Sequence, residues 1–110
     1  MKQYDIFWAN LSPTIGRCPV LLLTRTAAYA YLNKVIVAEV TSTIRGIPQE
    51  VLIGKREGLP NTSAVNLDNV HAIPKALLAE RLGHIDAARV AEVKRALGYA
   101  LAWSELKVLV

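Results

Sequence analysis

KVIVAEVTSTIRGIPQEVLI, residues 34–53, is the stretch on which the fold class turns. Its first eight residues, Lys34 to Thr41, are dense in branched side chains. Such side chains stiffen an extended backbone, so the run predicts a strand. Thr41, Ser42 and Thr43 end it, and Gly46-Ile47-Pro48 turns the chain. Gln49 to Ile53 reads as a second strand that pairs back.

Working outward, Tyr4 to Ala9 predicts a first strand and Asn10 to Gly16 is turn material. Pro19 to Thr24 predicts another strand, with its proline at the first position, where a missing N–H is tolerated. Thr26 to Leu32 is an alanine-rich loop or a short helix. Gly54 to Thr62 is a loop, and Ser63 to Asn66 and Asn69 to Ile73 are two short strands around Leu67-Asp68. Pro74 to Leu78 fits a short helix opening on proline, and Arg81 to Ile85 a last short strand. Asp86 is placed to cap a helix from Ala87 to about Trp103, whose apolar stripe is Val90, Val93, Leu97 and Leu101. Lys107 to Val110 is an uncommitted tail. Short strands followed by one long amphipathic helix imply a mainly β protein with helices (α+β). The architecture expected is a small curved antiparallel sheet or partial barrel with the helix packed on it. No repeat or linker divides the chain, so residues 1–110 are expected to be one domain.

Of 110 residues, 53% are hydrophobic, enough for a core without disulfide support. The single cysteine fits a reducing cytoplasm. No apolar run approaches a membrane span, and the first residues lack the apolar core of a signal peptide. Thirteen basic residues against nine acidic give a net charge of +4, a mild attraction to nucleic acid or an acidic partner.

Phosphate-loop and dinucleotide fingerprints are absent. One cysteine and two histidines give no zinc pattern, and no metal or cofactor is expected. His71 alternates with apolar neighbours as a surface strand residue would, and His84 follows Gly83 with the same reading. What remains is polar residues at strand ends: Arg17, Thr41-Ser42-Thr43, Arg45, and Asn66-Leu67-Asp68-Asn69. Hydroxyl, carboxylate and guanidinium groups there would line a phosphate-binding groove, or serve only to satisfy turns.

Four segments in order give the chain a family likeness. YDIFWANLSP (4–13) resembles the opening of the MazF/PemK toxins, small ribonucleases of bacterial toxin–antitoxin modules. GRCPVLLLTR (16–25) resembles their Gly-x-Arg-Pro stretch. VIVAEVTSTIRGIPQEV (35–51) resembles their third strand and Gly-x-Pro-x-Glu-Val hairpin, and EGLPNTSAVNLDNVHAIPKALLAERLGHI (57–85) resembles the remainder. The likeness covers about residues 3–103. It implies an SH3-like barrel with a C-terminal helix, and a homodimer with single-stranded RNA crossing its interface. It also implies metal-free cleavage to 2′,3′-cyclic phosphate and 5′-OH ends, and an antitoxin with an acidic, disordered tail. By motif the catalytic set is the arginine position (Cys18), Thr41 with Ser42 beside it, and Asp68. Arg17, Thr43, Arg45, Asn66 and Asn69 are the expected RNA contacts.

The chain departs from the family pattern in two places. The family arginine stands directly before the proline, where this chain has Cys18, with Arg17 one residue earlier. Alternation along an extended chain points Arg17 to the opposite face. A turn at Gly16 would have to bring it back, or the guanidinium is lost and a neutral thiol stands in its place; a reactive thiol is the third reading. The loop from Ser12-Pro13 to Gly16 also lacks the longer glutamate-containing segment of many relatives. Two alternatives therefore stand beside the endoribonuclease: a non-enzymatic, gyrase-directed toxin on the CcdB-like version of the barrel, and an inactive antitoxin-binding partner.

Overall fold

The computed structural model describes residues 1–108. Six strands form one sheet in the order β4-β5-β3-β2-β1-β6, and every pairing is antiparallel. They are β1 (Asp5–Ser12), β2 (Gly16–Leu22), β3 (Lys34–Thr41), β4 (Glu50–Ile53), β5 (Ser63–Pro74) and β6 (Leu78–His84). A 3-10 turn at Ala87–Arg89 leads into α1 (Val90–Leu101), and a short α2 (Ser104–Lys107) follows. The sheet curls into a half-barrel with the C-terminal helix packed on it.

The middle strands are apolar on both faces. Neighbours divide between two clusters, Ile6 from Phe7 and Leu21 from Val20, as the two-residue period requires. Val93, Ala96, Leu97 and Ala100 of α1 cover the first cluster. Tyr29, from a 3-10 turn at Thr26–Ala30, and Leu77 and Leu78 cover the second. Within VIVAEV, Val35 and Val37 face the second cluster and Ala38 and Val40 the first, so both faces are covered from Val37 to Val40, while Ile36 is 48% exposed.

The outer strands β4 and β6 do not pair. The chain after β4 crosses β6 instead, backbone against backbone. A Cβ at Gly58 would stand 2.0 Å from the Leu82 carbonyl oxygen, and one at Gly83 2.1 Å from that of Glu57. Gly58 also has φ +95°, a conformation open to glycine at little cost. Buried Glu57 accepts the Gly54 N–H at 2.7 Å, and Arg89 Nη1 stands 3.2 Å from its other oxygen. Arg89 Nη2 donates to the Leu52 carbonyl at 2.7 Å, tying the start of α1 to the edge strand β4.

Several elements differ from the sequence expectations. β1 runs on to Ser12 across a register shift, and β2 begins at Gly16, so Pro19 lies inside the strand. It is tolerated because β3 pairs with β2 only from Val20 to Leu22. β4 does not pair back on β3; β5 lies between them. The two short strands around Leu67-Asp68 are one strand with a bulge. Ala38 pairs with Val70 and Glu39 with Asn66, leaving residues 67–69 extra. Asp86 makes no capping bond; its Oδ1 lies 3.0 Å from His84 Nε2. α1 stops at Leu101, where left-handed Ala102 ends it. Leu101 is exposed, because the buried face is Val93, Ala96, Leu97 and Ala100. The uncommitted tail ends in residues 109 and 110, which lie outside the described residues.

Candidate functional site

The site begins where β2 and β3 part. Val20 opposite Glu39 is the last pair of their ladder. Continued backward, the register would set Pro19 against Val40 and Cys18 against Thr41. Proline has no N–H to give to that ladder, and the strands separate there. A cleft of about 330 Å³ opens between them, lined by Trp8, Pro19, Thr41, Ser42, Pro60 and Asn61 over an apolar floor of Val40 and Leu59. Thr41 also borders a second hollow of about 220 Å³, whose other walls are Glu39, Thr43, Arg45, Glu50, Asn66 and Asn69.

Local hydrogen bonds shape the second hollow. The Thr43 N–H donates to Thr41 Oγ1 at 3.0 Å, which leaves the Thr41 hydroxyl proton free for a ligand. The Glu50 carboxylate accepts the N–H groups of Arg45, at 3.1 Å and 3.2 Å, and Gly46, at 2.9 Å, and so clasps the loop after β3. The Arg45 guanidinium forms no ion pair among the described residues. Asn66 Oδ1 accepts the Asp68 N–H at 3.0 Å within the β5 bulge. Glu39 Oε2 lies 2.8 Å from His71 Nε2, and that nitrogen is buried and off the line of a hydrogen bond. His71 lies on β5 with its side chain partly exposed, as expected of a strand residue at the surface, but its Nε2 is buried against the one carboxylate on β3. Among the described residues no group of three His, Cys, Asp or Glu side chains converges to hold a metal.

Thr41, Thr43, Arg45, Asn66 and Asn69 thus come together around one hollow, and Thr41 and Ser42 share the cleft. Arg17, Cys18 and Asp68 line neither. Cys18 packs against the cluster of Phe7, Val20 and Val35. Burial, reinforced by the Glu39 carboxylate, pushes its thiol up to about 11. At neutral pH it is an uncharged, nearly apolar side chain and not a reactive thiolate. Arg17 points the other way. Its guanidinium lies 4.5 Å from the centre of the Trp8 ring and pairs with Glu80. The turn at Gly16 does not return it to the Cys18 side.

Sequence reading missed Glu39, Glu50, Trp8, Pro60 and Asn61. Glu39 carried a signal, as the lone charge inside an apolar strand. The others reach the site through strand pairing and loop closure, which local sequence does not encode.

A profile of the family described as "PemK-like, MazF-like toxin of type II toxin-antitoxin system" matches residues 2–101. "Probable endoribonuclease MazF5" of Mycobacterium tuberculosis is 38% identical over 98 residues, covering 88% of this chain and 89% of that protein. Among solved structures, the Mycobacterium tuberculosis toxin MazF-mt6 superposes with a TM-score of 0.84 at 34% identity, over 89% of this chain and 96% of that one. A mycobacterial endoribonuclease in complex with its cognate antitoxin superposes with a TM-score of 0.82 at 27% identity, over 94% and 96%.

Proposed function

The chain belongs to the PemK-like, MazF-like toxin family of type II toxin–antitoxin systems, and from that premise we propose that it is a metal-independent endoribonuclease acting on single-stranded RNA. One observation carries the reading to particular atoms. A free hydroxyl proton on Thr41, an unpaired Arg45 guanidinium and the Glu39 carboxylate all border one hollow at the open end of β3.

The chemistry needs three things. A base removes the proton from the ribose 2′-OH as its oxygen attacks the adjacent phosphorus. Donors hold the negative charge that grows on the phosphoryl oxygens. The departing 5′ oxygen takes up a proton from solvent water, leaving a 2′,3′-cyclic phosphate and a 5′-OH. Thr41 and Arg45 are the donors, and each such donor is worth about 10²–10³ in rate. Glu39, set against His71, is the carboxylate at the hollow and takes the 2′ proton, a part worth about 10²–10⁴. The acid–base part that the family resemblance gives to Asp68 falls to Glu39 in this reading, because Asp68 sits on the bulge outside the hollow. Thr43, Asn66 and Asn69 contact the RNA backbone.

The working unit in this reading is a cytoplasmic homodimer with RNA across its interface, restrained by an antitoxin with an acidic, disordered tail. The +4 charge favours both partners, and a related mycobacterial endoribonuclease is solved with its cognate antitoxin. No helix among the described residues is long and apolar enough to cross a membrane.

Expression of the chain alone in bacteria tests the function. Growth arrest with fragmented RNA is the expected result. Arrest with intact RNA and recovery of gyrase in a pull-down would point to the gyrase-directed alternative. Unarrested growth with intact RNA would leave only an antitoxin-binding partner.

A further inference from the structure

The cleft between the parting ends of β2 and β3 has a chemistry unlike that of the hollow beside it. No charged side chain lines it. Trp8, Pro19 and Pro60 give it flat, rigid walls, and buried Val40 and Leu59 floor it. Polar groups stand with them: the Ser42 hydroxyl and the Asn61 side-chain amide, neither engaged in a hydrogen bond among the described residues. The backbone at Asn61 is held, since Ser63 Oγ donates to its carbonyl at 3.1 Å. Trp8 is held as well. The Arg17 guanidinium covers the ring without lining the cleft, so it braces the indole from outside. This gives Arg17 a positioning task on the face opposite Cys18.

Flat apolar walls, an aromatic ring and a free amide that offers both a donor and an acceptor fit a nucleobase. A base stacks on its faces and is read along its edge. An acidic peptide side chain finds no cation here. Thr41 belongs to both cavities, so a strand with its phosphate at the hollow has the cleft within one nucleotide's reach. We propose that this cleft is a base-reading slot: it takes one unpaired base next to the bond that is cut, stacks it on Trp8, and discriminates among bases through Asn61. The proposal rests on the endoribonuclease reading and adds the residues that set which RNA is chosen.

Trp8 and Trp103 are the two tryptophans of the chain. A Trp103→Phe variant of the full chain therefore reports on Trp8 alone. The probes are four single-stranded oligodeoxynucleotides, of adenine, cytosine, guanine or thymine only, which lack the 2′-OH and cannot be cut. The expected result is quenching of Trp8 emission, with one base bound about tenfold more tightly than the worst. Asn61→Ala should bring the four affinities within about twofold of one another, and Asn61→Asp, which loses the donor, should reorder them. Binding without quenching, or an unchanged ranking in both variants, overturns the slot while leaving the endoribonuclease reading intact. Quenching by a polyglutamate peptide but by no oligonucleotide gives the cleft to a protein partner and overturns the slot. If no oligonucleotide binds, the slot falls, and if the chain also leaves RNA uncut, both readings fall together.

Discussion

At position 18 a neutral thiol shares the face of β2 with Val20 and Leu22, while the guanidinium one residue earlier lies over Trp8. Period-two alternation made that split legible in the sequence, because the proline after Cys18 holds the chain extended. It leaves the position that the motif resemblance gives to the family's arginine without a cation. Replacement by arginine should return a phosphate donor, so Cys18→Arg is expected to raise the rate of RNA cleavage by about 10²–10³-fold in single-turnover assays. The thiol makes a separate prediction. Burial and then Glu39 raise its pKa from the ordinary 9.0 to about 11, so the folded chain holds this proton longer than the unfolded one. The stabilisation linked to it is complete below pH 9 and is lost as pH rises toward 11. Alkylation by iodoacetamide should accordingly show a midpoint near pH 11 in the native protein and near 9 in denaturant. A native midpoint below 9 would mean a reactive thiolate. The contact between Glu39 and His71 was not legible, because it depends on the register of β3 with β5, and the bulge at 67–69 sets that register.

Among the elements, β3 stands where its branched residues place it, from Lys34 to Thr41. The bounds of the others follow from pairing. Pro19 looked like a strand opening because proline is rare inside sheets. It is interior here because β2 has a partner on only one side at that point, and the same missing N–H opens the cleft beside Thr41. Leu67-Asp68 looked like a break because three residues bulge out of an otherwise continuous strand. The seam between Gly58 and Gly83 was hidden, since two glycines 25 positions apart say nothing locally about touching backbones. A methyl group at Gly83 meets a carbonyl that cannot move without displacing the Glu57–Arg89 clasp. Gly83→Ala should therefore cost about 3 kcal/mol or more in urea unfolding, at the upper end for overpacking. A loss below about 0.5 kcal/mol, within the range of an ordinary surface change, would mean that the seam is not tight.

For the molecule as a whole, a half-barrel covered by one helix was legible from the order of short strands and the final amphipathic segment. Thr41, Thr43 and Arg45 were legible as polar residues at and beyond the end of β3, whereas Asn66 and Asn69 join them through the bulge inside β5 and not at a strand end, and Arg17 and Asp68 of the same sequence-read set stay outside the hollow. The walls drawn from the 57–63 loop and from β1 were not legible. The central claim is that this arrangement cuts RNA by its own side chains. Purified chain incubated with single-stranded RNA in EDTA, followed by mapping of the fragment ends, tests it most directly. The account predicts 2′,3′-cyclic phosphate and 5′-OH ends, formed faster by Cys18→Arg and at least about 10²-fold slower by Thr41→Ala. RNA left intact by both the native chain and Cys18→Arg would contradict it.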